Sequence, residues 1–369
     1  KLMSYVDDQL YFGSNNTIET SFETSLADRF KIELKGNAHW FLSTRLSYQN
    51  NDYIIDQTRY CINLLNKYQP EGCKWGRSPD KATPLPTGIQ MSKTWCATND
   101  TDRTHIIKKY GDLDYRSCIG SLIYLAAGTR YDILYAVTKL AKYCNNPGLL
   151  HFNCLYHLLG YLNRTHNLGI RFYHDHTKSP VSVLYSTDVL KTCDINNIPS
   201  TLTFTDASFQ DQVNSGRSSG SFCIFNQGGL VDYGCFVPIP IAMSTGEAEY
   251  MAAASGAMAA QHMRMLAQDY NNLGKSTYSV LNDEIMPPAI ILIDNTAAKA
   301  MAECERSSKM TRHVVRRYHY VRQGQSRNDH TIQWINGENQ CADIGTKAQK
   351  PEDCANCLIK MFVPVELNG

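Results

Sequence analysis

The period of apolar and polar positions changes along this chain, and each change marks an element. Leu2–Phe12 reads as strand, tight turn and strand, with the adjacent Asp7 and Asp8 at the tip. A helix is expected from Ser21 to Phe30 and another from Asp56 to Tyr68, where Tyr60, Leu64, Leu65 and Tyr68 share one side. Gln69-Pro70-Glu71-Gly72 breaks the second helix, and the prolines between Pro79 and Gly88 make an extended linker. Tyr115 to Asn145 predicts two helices broken near Gly128-Thr129-Arg130, and His151 to Leu162 a further one. Tyr173 to Pro199 reads as a strand and a polar link.

Beyond residue 200 a strand pattern takes over. Leu202, Phe204 and Asp206 share one face of an alternating stretch that Asp206 ends. Gly220–Phe225 and Leu230–Phe236 flank Asn226-Gln227-Gly228-Gly229 as a hairpin. Val237-Pro238-Ile239-Pro240-Ile241 suits only an edge strand, because proline cannot donate to a ladder. Ala289–Ile293, continuously apolar and closed by Asp294, predicts a strand buried on both sides, with a helix after it ending near Glu305. Thr331–Ile335 supplies a fifth strand.

Between these lies Ser244 to about Gln268, a helix opened by Ser244 with Glu247 three residues on, the capping-box spacing, and continued by an alanine-rich run. Glu247 and Glu249 stand two apart and point to different sides, so at most one faces inward. Glu249 is the choice, since Ala252, Ala253 and Gly256 let that face lie close against a sheet.

Composition narrows the class. The 369 residues, 43% hydrophobic and 19% charged, are those of a globular chain with two or three domains. There is no apolar run of about 18 residues to span a membrane, and no signal peptide is expected. The chain begins at Lys1 and is expected to be a fragment. Thirteen cysteines without a repeating frame point to reduced thiols in an intracellular protein, and Cys354-Ala355-Asn356-Cys357 reads as packing rather than a zinc or redox pair. His151, His157 and His166 fit no metal-ligand pattern, and Lys139, Lys142 and Arg164 read as solvated helix faces.

A net charge of +1 does not announce nucleic-acid binding, so a local patch has to carry it. Arg306 through Arg327 contains no acid. Within it Lys309, Arg312 and Arg316, and His313 with Arg317, follow helical spacing beside Tyr318 and Tyr320, which suits a phosphate backbone. A solvated basic helix is the alternative.

Taken singly, Asp206, Glu249, Asp294 and Asp343 are caps or surface acids. Taken together, two aspartates at strand ends, a helix glutamate and a late aspartate describe a carboxylate cluster for hard divalent cations. The segments TFTDAS, RSSGSF, STGEAEYMAA, LIDNTAAKA, TRHVVRRYHYVR and GENQCADIGTKA resemble, in order, the ribonuclease H domain of copia-type LTR retrotransposon polyproteins, from about Thr201 to Lys347. The resemblance implies that Asp206, Glu249, Asp294 and Asp343 hold two Mg²⁺ ions that cut the RNA strand of an RNA–DNA hybrid. It also implies nucleic-acid contacts from Arg217, Ser218, Asn295, Lys309, Arg312, His313, Arg316 and Arg317.

Further upstream, Tyr5-Val6-Asp7-Asp8 resembles the catalytic hairpin of reverse transcriptases, which makes Asp7 and Asp8 half of a second metal site. The resemblance implies a third carboxylate on a strand well upstream of this hairpin, expected to lie outside this chain. No DNA synthesis is expected from it alone; an upstream segment or second chain is the implied partner. YRSCIGSLIYLAAGTRYDILYAV and LLGYLNRTHNLGI look like the family's thumb and connection. Departures are Ser43 where the family has Gly, the proline-rich stretch at Val237 in place of a basic strand, and Val315 in place of an acid.

The expected fold is therefore α+β / α/β. Residues 1–85 form a partial reverse-transcriptase palm, 86–198 a helical thumb and connection, and 199–369 a ribonuclease H-like five-stranded mixed sheet with helices. The expected location is intracellular, in a cytoplasmic particle or the nucleus, with no membrane partner. A truncated or adopted copy acting as a non-catalytic binding or structural subunit is the alternative.

Overall fold

The computed structural model describes residues 2–12, 15–73, 75–111, 113–191, 199–272, 287–303 and 315–366. β1 (Leu2–Tyr5) and β2 (Asp8–Tyr11) pair antiparallel with Tyr5 opposite Asp8, leaving Val6-Asp7 as a two-residue turn. The helix α1 (Asn16–Ala27) starts well before the expected Ser21, because the Asn15 side chain accepts from the Thr17 N–H and caps it there.

The meander β3 (Trp40–Phe41), β4 (Thr44–Gln49) and β5 (Asp52–Asp56) follows. Its turns, Leu42-Ser43 and Asn50-Asn51, hold all four residues at positive φ, the geometry of tight hairpins. Asp56 ends β5 instead of opening a helix, and its Oδ1 accepts from the Thr58 N–H at the start of α2 (Thr58–Tyr68).

The middle of the chain is helical: α3 (Asp100–Tyr110), α4 (Tyr115–Gly128), α5 (Leu134–Ala141) and α6 (Leu149–Thr165). The break between α4 and α5 falls where expected. It is fixed by Arg130, 1% exposed, whose guanidinium donates to both Asp132 oxygens at 2.9 and 2.7 Å and to the Thr165 carbonyl at 2.8 Å. Such a pair is tolerated in the interior because each of the three guanidinium nitrogens donates a hydrogen bond. The expected strand after Tyr173 lies earlier, as β6 (Leu168–Phe172), and short helical turns including α7 (Pro180–Leu184) follow it.

The last third comprises β7 (Thr201–Gln212), β8 (Arg217–Asn226), β9 (Gly229–Phe236), α8 (Thr245–Asn272), β10 (Ala289–Ile293), α9 (Thr296–Glu303), α10 (Val315–Ser326), β11 (His330–Trp334), α11 (Pro351–Met361) and β12 (Val363–Pro364). Five of these strands make a mixed sheet in the order β11-β10-β7-β8-β9. β10 runs parallel to β7 and β11, whereas β7, β8 and β9 are antiparallel neighbours.

One face of this sheet, with Leu202, Phe204, Phe225 and Leu292, shares a core with Leu122, Leu125, Leu155 and Leu158 of the middle helices. On the other face Ile291 and Ile293 pack against Ala253, Ala254, Ala257 and Ala260 of α8. A Cβ on Gly256 would overlap the Thr205 methyl, so the helix lies as close to β7 as glycine permits. A second five-stranded sheet, ordered β12-β6-β5-β4-β3, joins strands from the beginning, middle and end of the chain.

Two details of the expected strands change. β7 runs on to Gln212, so Asp206 lies within the strand, not at its end. The long hairpin with β8 extends it, but pairing with β10 stops at Phe204, so Asp206 is still just past the edge of the parallel ladder. Val237–Ile241 forms no strand: β9 stops at Phe236, where the prolines remove the ladder donors. Among the described residues no helix is long and apolar enough to cross a membrane.

Candidate functional site

Asp206, Glu249 and Asp294 each offer a carboxylate oxygen, and the three oxygens lie within 4.8 Å of one another. They arrive from β7, the first turns of α8 and the residue after β10. Register explains two of them: Leu202 pairs with Ile290 and Phe204 with Leu292, so Asp206 and Asp294 continue the same face of neighbouring parallel strands.

The third is set by the start of α8. The Ser244 hydroxyl accepts from the Glu247 N–H at 3.2 Å, and the Glu247 carboxylate turns back to accept from the Met243 N–H at 2.7 Å. Glu247 is thereby buried as well as Glu249, contrary to the expectation of a single inward glutamate. The two still point apart, one to its own helix terminus and the other into the acids.

Asp343 stands beside this trio in the 3-10 turn Cys341–Gly345. It lies outside the trio's converging oxygens; its Oδ2 is 2.9 Å from Lys347 Nζ, which is also 4.0 Å from Asp206 Oδ2. The Thr346 hydroxyl donates to Asp206 Oδ2. Gln340 ties the turn to β7 through the Thr205 carbonyl at 2.9 Å. Thr346 and Lys347 were not singled out from sequence. The available signal was an acid followed four residues later by a lysine, a spacing that brings the two together on a helical turn.

Burial and mutual repulsion set the electrostatics. Burial pushes the Glu249 carboxyl up to about 10, with Asp206 and Asp294 adding to the shift. Asp343 is pushed up to about 8 by burial and then by Asp206, with Lys347 opposing. Asp294 is raised for the same reasons. Crowded acids hold protons unless a cation compensates them.

The donor set of the site fits a hard divalent cation. Its donors are all carboxylate oxygens, and Glu249 Oε2 and Asp343 Oδ1 are buried with no hydrogen-bond partner among the described residues.

Other candidate residues fall elsewhere. Asp7 and Asp8 are exposed at the β1–β2 turn and join no carboxylate cluster among the described residues. Ser218 is buried, its hydroxyl accepting from the Gln210 N–H at 3.1 Å, beside Arg217 at the start of β8. Asn295 caps α9, its Oδ1 accepting from the Ala298 N–H. Lys309, Arg312 and His313 lie outside the described residues, as do the side chains of Arg316 and Arg317 in α10.

Lys139 is not on a solvated face: it pairs with Asp211 at 2.5 Å, and Lys142 bonds Gln212. His151 is a core residue stacked on Tyr143. Cys354 and Cys357 are buried free thiols.

Comparison with known proteins gives a consistent lineage. No family model matches the chain. It is 23% identical over 348 residues to the retrovirus-related Pol polyprotein from transposon TNT 1-94 of Nicotiana tabacum, a match covering 94% of this chain and 23% of that protein. The Pol polyprotein from transposon RE1 of Arabidopsis thaliana is 24% identical, with 94% of this chain and 20% of that protein covered. An uncharacterized mitochondrial protein of Arabidopsis thaliana is 27% identical over 254 residues, 69% of this chain and 90% of the relative.

Among solved structures, the N-terminal RNase H domain of a Mycobacterium tuberculosis protein, fused to maltose-binding protein, has a TM-score of 0.26 at 13% identity. That likeness covers 43% of this chain and 94% of the other, and its score is too low to support an argument. The chain spans about a fifth of the length of the Pol polyproteins it matches. Because the similarity to them runs through nearly all of its own length, the chain is a homologue of the retrovirus-related Pol polyproteins of copia-type transposons.

Proposed function

We propose that the buried carboxylate site is a ribonuclease H centre that hydrolyses the RNA strand of RNA–DNA hybrids. The observation that carries this is the meeting of Asp206, Glu249 and Asp294 within 4.8 Å, from three separate elements of one mixed sheet and its packed helix. Such crowding of buried acids is costly for stability alone, and a cation-dependent phosphodiesterase is the function that uses it.

Asp206, Glu249, Asp294 and Asp343 would hold two Mg²⁺ ions, with Asp206 central to both groups. Divalent cations supply, when bound, Lewis-acid stabilisation of the charge that develops at a phosphodiester. The protein's part is to hold three acids converging on one point with Asp343 beside them. β7 and β10 hold Asp206 and Asp294 in register, α8 carries Glu249 on a face pressed against β7, and the Thr346 hydroxyl orients Asp206. Holding the site in place before substrate arrives avoids reorganisation during the reaction.

Hybrid binding is assigned to Arg217, Asn295 and the basic stretch from Lys309 to Arg317; Ser218, buried and bonded to the Gln210 N–H, serves the β7–β8 hairpin instead. The β1–β2 hairpin is assigned no synthesis by itself, since Asp7 and Asp8 are exposed and join no carboxylate cluster among the described residues. A polymerase core from elsewhere would be its partner.

The test is a Mg²⁺-dependent assay on a hybrid labelled in the RNA strand, with labelled DNA duplex and single-stranded RNA as comparisons. The full chain is expected to cut only the hybrid's RNA, and Asp206→Asn to lose at least about a hundredfold of that rate. Equal cleavage by both proteins, or none by either, removes the enzyme reading in favour of a non-catalytic binding subunit.

A further inference from the structure

The carboxylate cluster already contains a positive charge. Lys347 Nζ sits 2.9 Å from Asp343 Oδ2 and 4.0 Å from Asp206 Oδ2. Its side chain is 47% exposed, whereas those of Asp206 and Asp343 are 3% and 17% exposed, so the ammonium enters the cluster from the solvent side. Glu249 and Asp294 make no ion pair with described residues, although Lys347 is near enough to oppose the rise of both carboxyls, and Glu249 Oε2 and Asp343 Oδ1 are buried without a hydrogen-bond partner among the described residues. Lys347 also lines a cavity of about 130 Å³ with Ser208, Lys139 and Asp211. The volume a water occupies in the liquid is about 30 Å³, so the cavity has room for a displaced ammonium.

These contacts divide the site into two unequal halves. Asp206, Glu249 and Asp294 converge on one another, and Lys347 touches this trio only at 4.0 Å, through Asp206, against 2.9 Å for Asp343. Asp343 is engaged by a lysine whose tether is flexible and whose alternative position is open. Lysine suits this role better than arginine, since a compact ammonium on a four-carbon stem makes a point contact that breaks without loss of a bidentate fork.

We propose that Lys347 is a displaceable counter-ion that competes with a divalent cation for Asp343. In the chain free of nucleic acid, one cation binds firmly at Asp206, Glu249 and Asp294, while a second binds weakly because it has to expel Lys347. A phosphate backbone laid across the site gives the ammonium another anion to pair with, which frees Asp343. Occupancy of the second position is then coupled to substrate, and by linkage the second cation strengthens substrate binding by the same factor. The inference rests on the ribonuclease reading of the site and deepens it by naming what regulates its second half.

The test uses Mn²⁺ titrated calorimetrically into the full chain, with Lys347→Gln, Lys347→Arg, Asp343→Asn and the Lys347→Gln/Asp343→Asn double variant, each checked for folding by circular dichroism. Wild type is expected to show one firm and one weak site. Lys347→Gln is expected to tighten the weak site on the order of fivefold and the firm one by less, since the ammonium is closer to Asp343 than to Asp206; Lys347→Arg keeps the weak site weak. In the Asp343→Asn background the effect of Lys347→Gln is expected to vanish, since the two residues act on the same site. Equal second-site affinity in wild type and Lys347→Gln overturns the inference while leaving hybrid cleavage intact. Failure of every protein to bind Mn²⁺ overturns the metal-centre reading together with it.

Discussion

The Tyr131 hydroxyl lies 2.6 Å from Ser221 Oγ, and Ser221 is the cross-strand partner of Asp206. Tyr131 belongs to the break between α4 and α5, so the helical middle of the chain reaches the strand pair that carries the site. The same hydroxyl donates to the Ala342 carbonyl, next to Asp343, at 3.3 Å. One fully buried side chain therefore braces both β8 and the 3-10 turn. Removing it with Tyr131→Phe is expected to cost about 1 kcal/mol of stability, the usual net worth of a buried hydrogen bond. The Mg²⁺-induced rise in the urea midpoint should shrink as well, because the turn bearing Asp343 loses a tether. Urea titrations with and without Mg²⁺ check both; an unchanged Mg²⁺ response would show that the brace is structural only.

Gly256 is two helical turns beyond Glu249 and on the same face of α8. A methyl there meets the Thr205 side chain inside contact distance. Gly256→Ala gains at most about 1 kcal/mol of helix propensity and loses about 1–3 kcal/mol to overpacking. The expected outcome is a net loss of about 1 kcal/mol, with hybrid cleavage reduced more than stability because the helix that carries Glu249 is pushed off β7. Chemical denaturation and the cleavage assay on the same samples separate the two effects.

Ser43 adopts φ 62 in the two-residue turn between β3 and β4, and Leu42 before it adopts φ 48. Left-handed backbone costs a non-glycine residue about 1–2 kcal/mol, part of which glycine returns as unfolded-state entropy. Ser43→Gly is therefore expected to raise stability by about 0.5–1 kcal/mol without altering cleavage, since the turn is exposed and far from the acids in sequence. A melting temperature equal to wild type would contradict it.

His151 is fully buried, and its Nδ1 accepts the Gly148 N–H at 3.0 Å. Burial lowers its pKa to about 4. The sign follows: the unfolded imidazole protonates near 6.5, so stability is complete above that pH. It is lost as pH falls toward 4, because the unfolded state binds the proton more readily. Protonation would also remove the acceptor at the start of α6. Over that window the histidine is expected to account for on the order of 3 kcal/mol of acid destabilisation. Stability measured from pH 7.5 to 4 should fall less steeply in His151→Gln than in wild type, and parallel curves would refute the assignment.

Sequence alone determined the elements whose pattern is local: the hairpin at Gln227-Gly228, the buried strand before Asp294, the capped helix behind Ser244 and the break at Arg130. It also put Asp206, Glu249, Asp294 and Asp343 forward together as one carboxylate cluster. Tertiary structure alone decided what distance along the chain conceals. The short β12 pairs with β6, a hairpin at Asn50-Asn51 completes a second sheet, and β7 continues past Asp206 because β8 is there to pair with it. Packing also decided that Lys139 is sequestered by Asp211, and that Asp343 is answered by Lys347 while the other three acids face one another. The physical reason is that capping, turn geometry and hydrophobic period act over a few residues. Desolvation and charge pairing depend on which groups, however remote in sequence, end up within a few ångströms.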